Sequence, residues 1–415
     1  MPSAITWLDY SSRDQDDVRA LIRALDEPGT LDDLGIGTIR DAISNALFPG
    51  TSSIQTRARY FLFIPWIFRE AETRYPARLL EKAGDMERLL IGAFDQADDR
   101  DGLIGRSAGA QVRTLPSSIY WAGLRSYGIF TEHGLTIQQY GRRFASARAH
   151  AVTEDEIADR KHAFWNRDIP SPPDGFFDFA SADFSLTDHE ATWLLERIGA
   201  AISIHGDPSL LSLLLADRTS SPEPYAADRV WDLNLPGGVP KVILQLVDHA
   251  RNFSSAVQGA QLLYNLVLAE RRQAQYGDDL EASADDRRAE LALWRDRALA
   301  ADLADWASDI DRFKDCLIAV TGAAPKALEV FLRPWCKLLA GNMAIWDDAP
   351  ARRLIEHRER SIKGPQSRFV NAKRLRDWDG YIQIEPLDFR WGQVRSMINE
   401  IGGAIAPAEG SVALA

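Results

Sequence analysis

This sequence predicts a mainly α-helical, multi-helical protein. We expect two or three subdomains, with minor β content near the C-terminus. Apolar residues recur at three- and four-residue spacing along most of the chain, which is typical of helices packed on a core. Clear β alternation occurs only in YIQIEPLDF, Tyr381 to Phe389. The length of 415 residues, 46% of them hydrophobic, is enough for two or three cores.

The first predicted domain covers residues 1–167. A helix is expected through VRALIRALD and another through LGIGTIRDAISNALF, where Ile36, Ile39, Ile43 and Leu47 share one face. The next helix, IQTRARYFLFIPWIFREAETRY, is apolar on nearly every side from Tyr60 to Phe68, which predicts a central position. The hydroxyls of Thr51 to Ser53 are the expected N-cap, and Pro65 predicts a kink.

The rest of the chain divides at a proline-rich linker, residues 168–184, where DIPSPPDGFFDF forbids regular structure. A middle helical domain is expected over residues 185–322, and a basic helical region over residues 323–415. In the first domain, Pro116 opens a helix whose Tyr120, Leu124 and Tyr127 indicate a core face. A nucleic-acid recognition helix carrying Arg125 is the alternative there.

Composition excludes several classes of protein. The formal net charge of −12 argues against a general nucleic-acid coat, since such a field repels phosphate. Cys316 and Cys336 stand alone, so no zinc site and no other metal or cofactor is predicted. The acidic N-terminus is unlike a signal peptide, no apolar run reaches membrane-spanning length, and a cytoplasmic protein with no membrane contact is expected.

The strongest local charge lies between Ala351 and Arg376, where nine arginines and lysines face two glutamates, a net +7. Gly364-Pro365 should end one helix there and start a second basic one. Cations beside a helix N-terminus favour phosphate. The alternative is a solvated face that packs on the acidic helix of residues 278–311. The candidate phosphate- or nucleic-acid-binding residues of this segment are Arg358, Arg360, Lys363, Arg368, Lys373 and Arg374.

A second candidate anion site surrounds Arg57 and Arg59, which precede the apolar helix. Guanidinium groups are rarely buried without partners, so pairing with acids such as Asp32, Asp33 or Asp41 is one interpretation. The other is an anion site formed with the TSSIQT hydroxyls, which Arg106 and Arg113 of the GRSAGAQVR loop would join.

Signals for catalysis are weak, and the sequence leaves open whether the protein is an enzyme. It contains no HExxH, GxSxG or GxxxxGK[ST] motif, and its seven histidines are scattered. If it is an enzyme acting on nucleic acid or nucleotides, the candidate groups are His357, Lys363, Arg368 and Asn371, with Glu356 or Glu359 as base.

Several strings of the sequence are distinctive, among them LGIGTIRDAISNALFPGTSSIQTRARYFLFIPWIF, RTLPSSIYWAGLRSYGI and LIEHRERSIKGPQSRFVN. With these strings the chain resembles, over nearly its whole length, an uncharacterised bacterial family catalogued as domain of unknown function 6361. The resemblance implies an association with antiphage defence, because members tend to be encoded near helicases and phospholipase-D-type nucleases. It implies no catalytic residue.

Three functional hypotheses follow. The first is a non-catalytic nucleic-acid-binding or adaptor component of a bacterial defence assembly, which binds DNA and a helicase or nuclease partner. The second is an enzyme of phosphodiester chemistry with an unfamiliar active site. The third is a scaffold that binds only protein.

Overall fold

The computed structural model describes residues 34–94, 97, 99–132, 134–149, 163–202, 206–221, 223–277, 283–380 and 384–405. Over these ranges the protein is mainly helical, with fifteen α-helices, and the predicted class is confirmed. The predicted helix of residues 18–26 lies outside the described residues.

The helix bounds follow the chain order. They are Gly37–Leu47 (α1), Tyr60–Arg74 (α2), Leu79–Ala93 (α3), Pro116–Ser126 (α4), Ile137–Ala149 (α5), Asp188–Gly199 (α6), Leu210–Ser220 (α7), Lys241–Tyr276 (α8), Ala284–Ala300 (α9), Leu303–Ser308 (α10), Ile310–Thr321 (α11), Arg333–Gly341 (α12), Ala349–Lys363 (α13), Ala372–Arg376 (α14) and Trp391–Ala404 (α15).

The predicted β content near the C-terminus is not confirmed. Residues 381–383 lie outside the described ranges, and residues 384–389 form no strand. Helix side chains satisfy the backbone there: Gln258 Nε2 donates to the Ile384 carbonyl at 2.9 Å, and the Leu387 N–H donates to Ser254 Oγ at 2.8 Å. Backbone groups that are already paired in this way have no need of a neighbouring strand.

The chain forms two compact units, each made of separated segments. The first unit comprises Met1–Ile39, Ser255–Ile310 and Pro325–Glu385, and the second comprises Arg40–Ser254, Asp311–Ala324 and Pro386–Ala415. The consecutive domains expected from the sequence, with boundaries at residues 168–184 and 323, stay a prediction. Residues 168–184 contain no α-helix, as their prolines predict, and Phe176 and Phe184 are buried in the second unit.

Helix α2 is the centre of the second unit, as the sequence predicts. All nine residues from Tyr60 to Phe68 are buried, and the helix continues through Pro65. Aromatic rings surround it: Phe63 stacks on Phe176 at 5.6 Å, and Tyr60 lies 5.2 Å from Tyr120. Tyr120 is 1% exposed, so α4 contributes a core face there and the recognition-helix alternative loses its aromatic platform.

The start of α2 differs from the prediction. The helix begins at Tyr60, and Thr51 does not cap it, because its hydroxyl donates to the Phe48 carbonyl at 2.7 Å. The backbone N–H groups of Thr56 and Arg57 donate to the Tyr120 hydroxyl at 2.8 and 3.0 Å. Residues 56–57 therefore find their hydrogen-bond partner on another helix, and the chain enters α2 as a loop.

In the first unit, the C-terminal part of α8 packs against α9 through a tryptophan. A Cβ atom on Gly259 would collide with the Trp294 ring, so the absence of a side chain permits this approach. The Trp294 indole N–H donates to the Ser255 carbonyl at 2.9 Å, and the Trp335 N–H to that of Ala256 at 2.8 Å. Trp335 is fully buried, so its N–H needs this partner.

Both cysteines are buried and free, in keeping with their apolar sequence contexts. Burial raises the pKa of Cys336 to about 12 and that of Cys316 to about 11, so both are thiols at neutral pH.

Glu87 of α3 is a buried carboxyl group that makes no ion pair with any described residue. Ser117 donates to it twice, from its N–H at 2.7 Å and its hydroxyl at 2.8 Å, at the start of α4. Burial raises the pKa of Glu87 from 4.5 to about 7, although the two Ser117 bonds oppose the shift. The folded state therefore holds this proton at pH values where the unfolded chain has lost it, and stability falls as pH rises from about 4.5 to about 7.

We predict that Glu87→Gln removes this part of the pH dependence. The free energy of unfolding, measured by denaturant titration, should be similar for variant and wild type near pH 4, where Glu87 is protonated. At pH 8 the variant should be more stable, by up to about 3 kcal/mol. The exposed Glu223→Gln is the control for removal of one charge, and it should follow the wild-type profile. A Glu87→Gln profile parallel to wild type would contradict the prediction.

Candidate functional site

The basic segment from Ala351 to Arg376 lies in the first unit and surrounds a buried carboxylate. Glu359 is fully buried, and it accepts hydrogen bonds from the Arg368 N–H at 2.9 Å, from the Tyr264 hydroxyl at 3.0 Å and from Ser367 Oγ. Lys363 Nζ lies 3.5 Å from the same carboxylate. A charge without solvent requires several such partners, so these residues form a structural network.

Two predicted binding residues are used by this network. The Arg368 guanidinium donates to the Tyr264 hydroxyl at 3.0 Å, and Lys363 Nζ lies 3.5 Å from the same oxygen. The Lys363 side chain is only 7% exposed. The Lys363 ammonium is therefore largely shielded from solvent, and the half-buried Arg368 guanidinium has an internal partner.

Two further arginines of the segment bond to residues in other parts of the first unit. Arg358 donates to the carbonyls of Leu34 and Gly35 at 2.8 and 3.1 Å. Arg352 pairs with Glu270 of α8 and donates to the Trp346 carbonyl at 2.6 Å. The acidic partner of Arg352 thus comes from α8, whereas the sequence suggested the acidic helix of residues 278–311.

The remaining cations of the segment are exposed, and we name Arg353, Arg360, Lys373, Arg374 and Arg376 the basic rim. Two rim residues have acidic neighbours, since Arg360 pairs with Glu356 and Arg376 lies 3.6 Å from Asp377. Arg353, Lys373 and Arg374 make no ion pair with any described residue, and Arg374 donates instead to Gln366 at 3.0 Å.

The helix break is present, and the second basic helix that follows it is short. Helix α13 ends at Lys363, followed by Gly364 with φ of 50°. The second basic helix, α14, has only five residues, and the Asn371 side chain already accepts the Arg374 N–H at 3.1 Å. This donor is therefore not available to an anion.

In the second unit, Arg57 is held between carboxylates. Its Nη1 lies 2.7 Å from Asp99 Oδ2, its Nε lies 3.2 Å from Glu400 Oε1, and its guanidinium covers the Phe184 ring at 4.6 Å. Glu400 also accepts the Ala58 N–H at 2.8 Å. Burial raises the pKa of Glu400, and the Ala58 N–H and Arg57 oppose the shift. Glu400 and Asp99 thus balance the charge of the Arg57 guanidinium.

Arg59 is more deeply buried, with a side chain 8% exposed. It donates to Asp183 Oδ1 at 2.9 Å and to Glu190 at 3.1 and 3.3 Å. The acids that the sequence suggested as partners of Arg57 and Arg59 do not include these. Asp32 and Asp33 lie outside the described residues, and Asp41 pairs with Arg40 and Arg390 at 3.2 and 3.5 Å.

Arg106 and Arg113 are exposed and make no ion pair within the described part of the chain. Their guanidinium groups are therefore available to contact an anion. Arg57 and Arg59, whose charges are balanced by carboxylates, do not share it.

A polar cleft of about 440 Å³ opens beside Arg57. Three parts of the chain line it: Ser53 with residues 55–57, residues 101–102, and the face of α15 that carries Gly392, Gln393, Ser396 and Glu400. An adjoining cavity of about 10 Å³ has room for one water molecule at most. We refer to the larger space as the polar cleft.

The residues proposed for an enzymatic role come together only in part. Lys363, Arg368 and Glu359 meet at Tyr264, whereas His357 is exposed and Asn371 caps α14. No group of three or more His, Cys, Asp or Glu side chains that could hold a metal ion occurs among the described residues. Similarly, none of the described helices is long and apolar enough to cross a membrane.

The comparison with protein families gives one match, which spans nearly the whole chain. A family model described as "Family of unknown function (DUF6361)" matches residues 2–405. The chain belongs to this family. No curated protein and no solved structure matches it.

The sequence analysis did not identify the residues that hold the buried cations of these two sites. Tyr264 was visible as the one phenol in the apolar GAQLLYNLVLAE run, and a buried phenol needs a partner for its hydroxyl. Glu400 and Glu190 carried no such signal, since they are 343 and 131 residues from the arginines they contact.

We predict that Arg59→Ala lowers the free energy of unfolding by about 3 kcal/mol, because it leaves the buried Glu190 carboxylate without a cation. Denaturant titration measures this loss. Arg106→Ala, which removes an exposed arginine without an ion pair, is the control and should change stability by less than about 0.5 kcal/mol.

A second comparison separates charge from packing. Arg59→Met combined with Glu190→Gln removes both charges, and it should be more stable than Arg59→Met alone. Equal stability of the two would mean that the ion pair is not what Arg59 contributes.

Proposed function

We propose that this chain is a non-catalytic component of a bacterial antiphage defence assembly, and that it binds nucleic acid through the basic rim of the first unit. A helicase or nuclease partner would supply the chemistry. The observation that carries the proposal is the exposure of Arg353, Lys373 and Arg374 without a carboxylate partner in the described structure, within an acidic chain.

Exposure and lack of pairing matter because phosphate binding gains most of its free energy when a cation replaces condensed counterions. A cation already balanced by a carboxylate has to break that pair first. Arg352, Lys363 and Arg368 are held by internal partners. The proposal therefore narrows the binding surface to the rim.

The backbone that carries the rim is ordered by hydrogen bonds across the helix break. Asn371 Nδ2 donates to the Pro365 carbonyl at 3.3 Å, and Arg374 Nε contacts Gln366, so residues 371–374 fold back onto the turn that ends α13. Arg360 lies in the last turn of that helix. Along α13, Arg353 and Arg360 are seven residues apart and face the same side, with the exposed His357 between them. Because the backbone of this surface is already ordered, the entropy lost on binding would come mainly from the exposed side chains.

The acidic charge elsewhere supports a restricted binding surface. A net −12 repels a polyanion from most of the molecule, so contact would be confined to the rim. The proposed defence role and the helicase or nuclease partner rest only on the resemblance of this chain to the family. The proposed binding surface rests on the exposed cations of the rim.

We predict that the wild-type chain binds duplex DNA with a steep salt dependence, measured by fluorescence anisotropy between about 50 and 200 mM salt. The triple variant Arg353→Ala, Lys373→Ala, Arg374→Ala should bind more weakly. Its slope of log affinity against log salt should be shallower by about 2 to 3, near 0.9 for each lost phosphate contact.

The matched control removes three other exposed cations of the same unit, Arg297, Lys326 and Lys337, as alanine variants. Both triple variants lower the net charge by the same amount. If the rim is the DNA-binding surface, only the rim variant should show a shallower slope of log affinity against log salt. No binding by the wild type, alone or with its partner, would overturn the proposal. If the rim variant loses partner co-purification while DNA affinity is absent throughout, the protein is a scaffold.

A further inference from the structure

The basic rim has an aromatic ring beside two of its cations. Tyr276, the last residue of α8, donates its hydroxyl hydrogen bond to the Ala372 carbonyl at 3.1 Å, at the first residue of α14. The next two residues of α14 are the rim cations Lys373 and Arg374. Tyr276 is 40% exposed. Because its hydroxyl is already engaged, the ring is the part of this side chain that a ligand can use.

The segment that leads into α14 also presents an apolar side chain to solvent. Phe369 is buried, and the Arg271 guanidinium of α8 covers its ring at 5.5 Å from the ring centre. Val370, the next residue, is 61% exposed. Residues 369–372 thus contact α8 at both ends, and Val370 lies exposed between the two contacts.

A second ring lies among the rim cations of α13. His357 is exposed, four residues after Arg353 and three before Arg360, so the three side chains share one side of the helix. The exposed surface of the rim therefore combines cations with an imidazole, a phenol and an apolar side chain.

This combination suits a single strand of nucleic acid better than a duplex. In a duplex the bases are paired and stacked on one another, so a surface that binds the backbone meets phosphate and sugar. In a single strand, unpaired bases can stack on aromatic side chains, histidine included, while nearby cations hold the phosphates. The rim cations can serve both forms, whereas the rings add affinity only for the single strand.

We propose that the basic rim binds single-stranded nucleic acid in preference to a duplex. Unpaired bases stack on Tyr276 and His357, and Arg353, Lys373 and Arg374 hold the phosphates. This inference rests on the nucleic-acid binding proposed for the rim, and it names the form of nucleic acid that the rim takes.

Fluorescence anisotropy on the full chain tests the inference with probes of one length: oligothymidine, an abasic deoxyribose-phosphate strand and a DNA duplex. The abasic strand keeps the phosphates and lacks the bases. We expect oligothymidine to bind about tenfold more tightly than either other probe, the gain from about one stacked base. Oligouridine distinguishes RNA from DNA as the source of the strand, and binding of oligouridine as tight as that of oligothymidine supports a site for both.

The deciding variants change a ring and leave the rim cations in place. Tyr276→Ala should weaken oligothymidine binding about tenfold and change the affinity for the abasic strand much less. Tyr276→Phe keeps the ring and loses the hydroxyl, so it should restore oligothymidine binding. His357→Ala should weaken oligothymidine binding with the same selectivity. If Tyr276 acts only by holding α14 through its hydroxyl, Tyr276→Phe would weaken the binding of every probe, which would overturn the inference.

Two controls separate this inference from the function on which it rests. Tyr75→Ala removes a tyrosine of the second unit that is 43% exposed, and it should bind every probe as the wild type does. The variant Arg353→Ala, Lys373→Ala, Arg374→Ala should weaken the binding of all probes, because it removes phosphate contacts. Equal wild-type affinity for oligothymidine and the abasic strand would overturn the preference for single strands and leave the rim as a phosphate-binding surface. Binding of no probe would overturn the proposed function as well.

Discussion

The entry of the chain into its central helix depends on a carboxylate that reaches it from α15. Glu400 accepts the Ala58 N–H and the Arg57 Nε–H, while Tyr120 takes the N–H groups of Thr56 and Arg57. Without these partners, three backbone donors near the apolar α2 would lack hydrogen bonds at a cost of about 1–3 kcal/mol each. The aromatic core around α2 therefore depends on the segment that precedes the helix, whose backbone N–H groups are hydrogen-bonded by residues far away in sequence.

The same constraint explains why charge in the sequence is a poor guide to charge on the surface. Arg57, Arg59, Lys363 and Arg368 read as cations available to an anion, yet each is held by an acid or a phenol. Burying such groups is tolerable only when the structure supplies counter-charges. Within the basic segment, the cations that stay exposed are those of the rim, a smaller set than the +7 of the sequence suggests.

The parts of the fold that follow from local pattern could be predicted, and the parts that follow from distant pairing could not. Helical spacing identified α2 as central, because nine consecutive apolar residues leave no face for solvent. The start of α2 was misplaced because a Thr-Ser-Ser sequence is a good cap only when no distant group competes for the same N–H donors. Alternation in YIQIEPLDF failed as a strand signal because a strand also needs a partner, which local sequence does not provide.

The helical period by itself divides the cations of the basic segment into two groups. Along α13 the buried positions are Ala351, Ile355 and Glu359, four residues apart, so a glutamate occupies the apolar stripe. A carboxylate at such a position indicates a buried network. Its cationic partner is Lys363, one turn on, and beyond the break the Arg368 backbone N–H donates to it. Positions 353 and 360 face the opposite side of the helix, which assigns them to solvent. Charge counted by helix face, rather than by segment, separates the cations that stabilise this fold from those exposed to solvent.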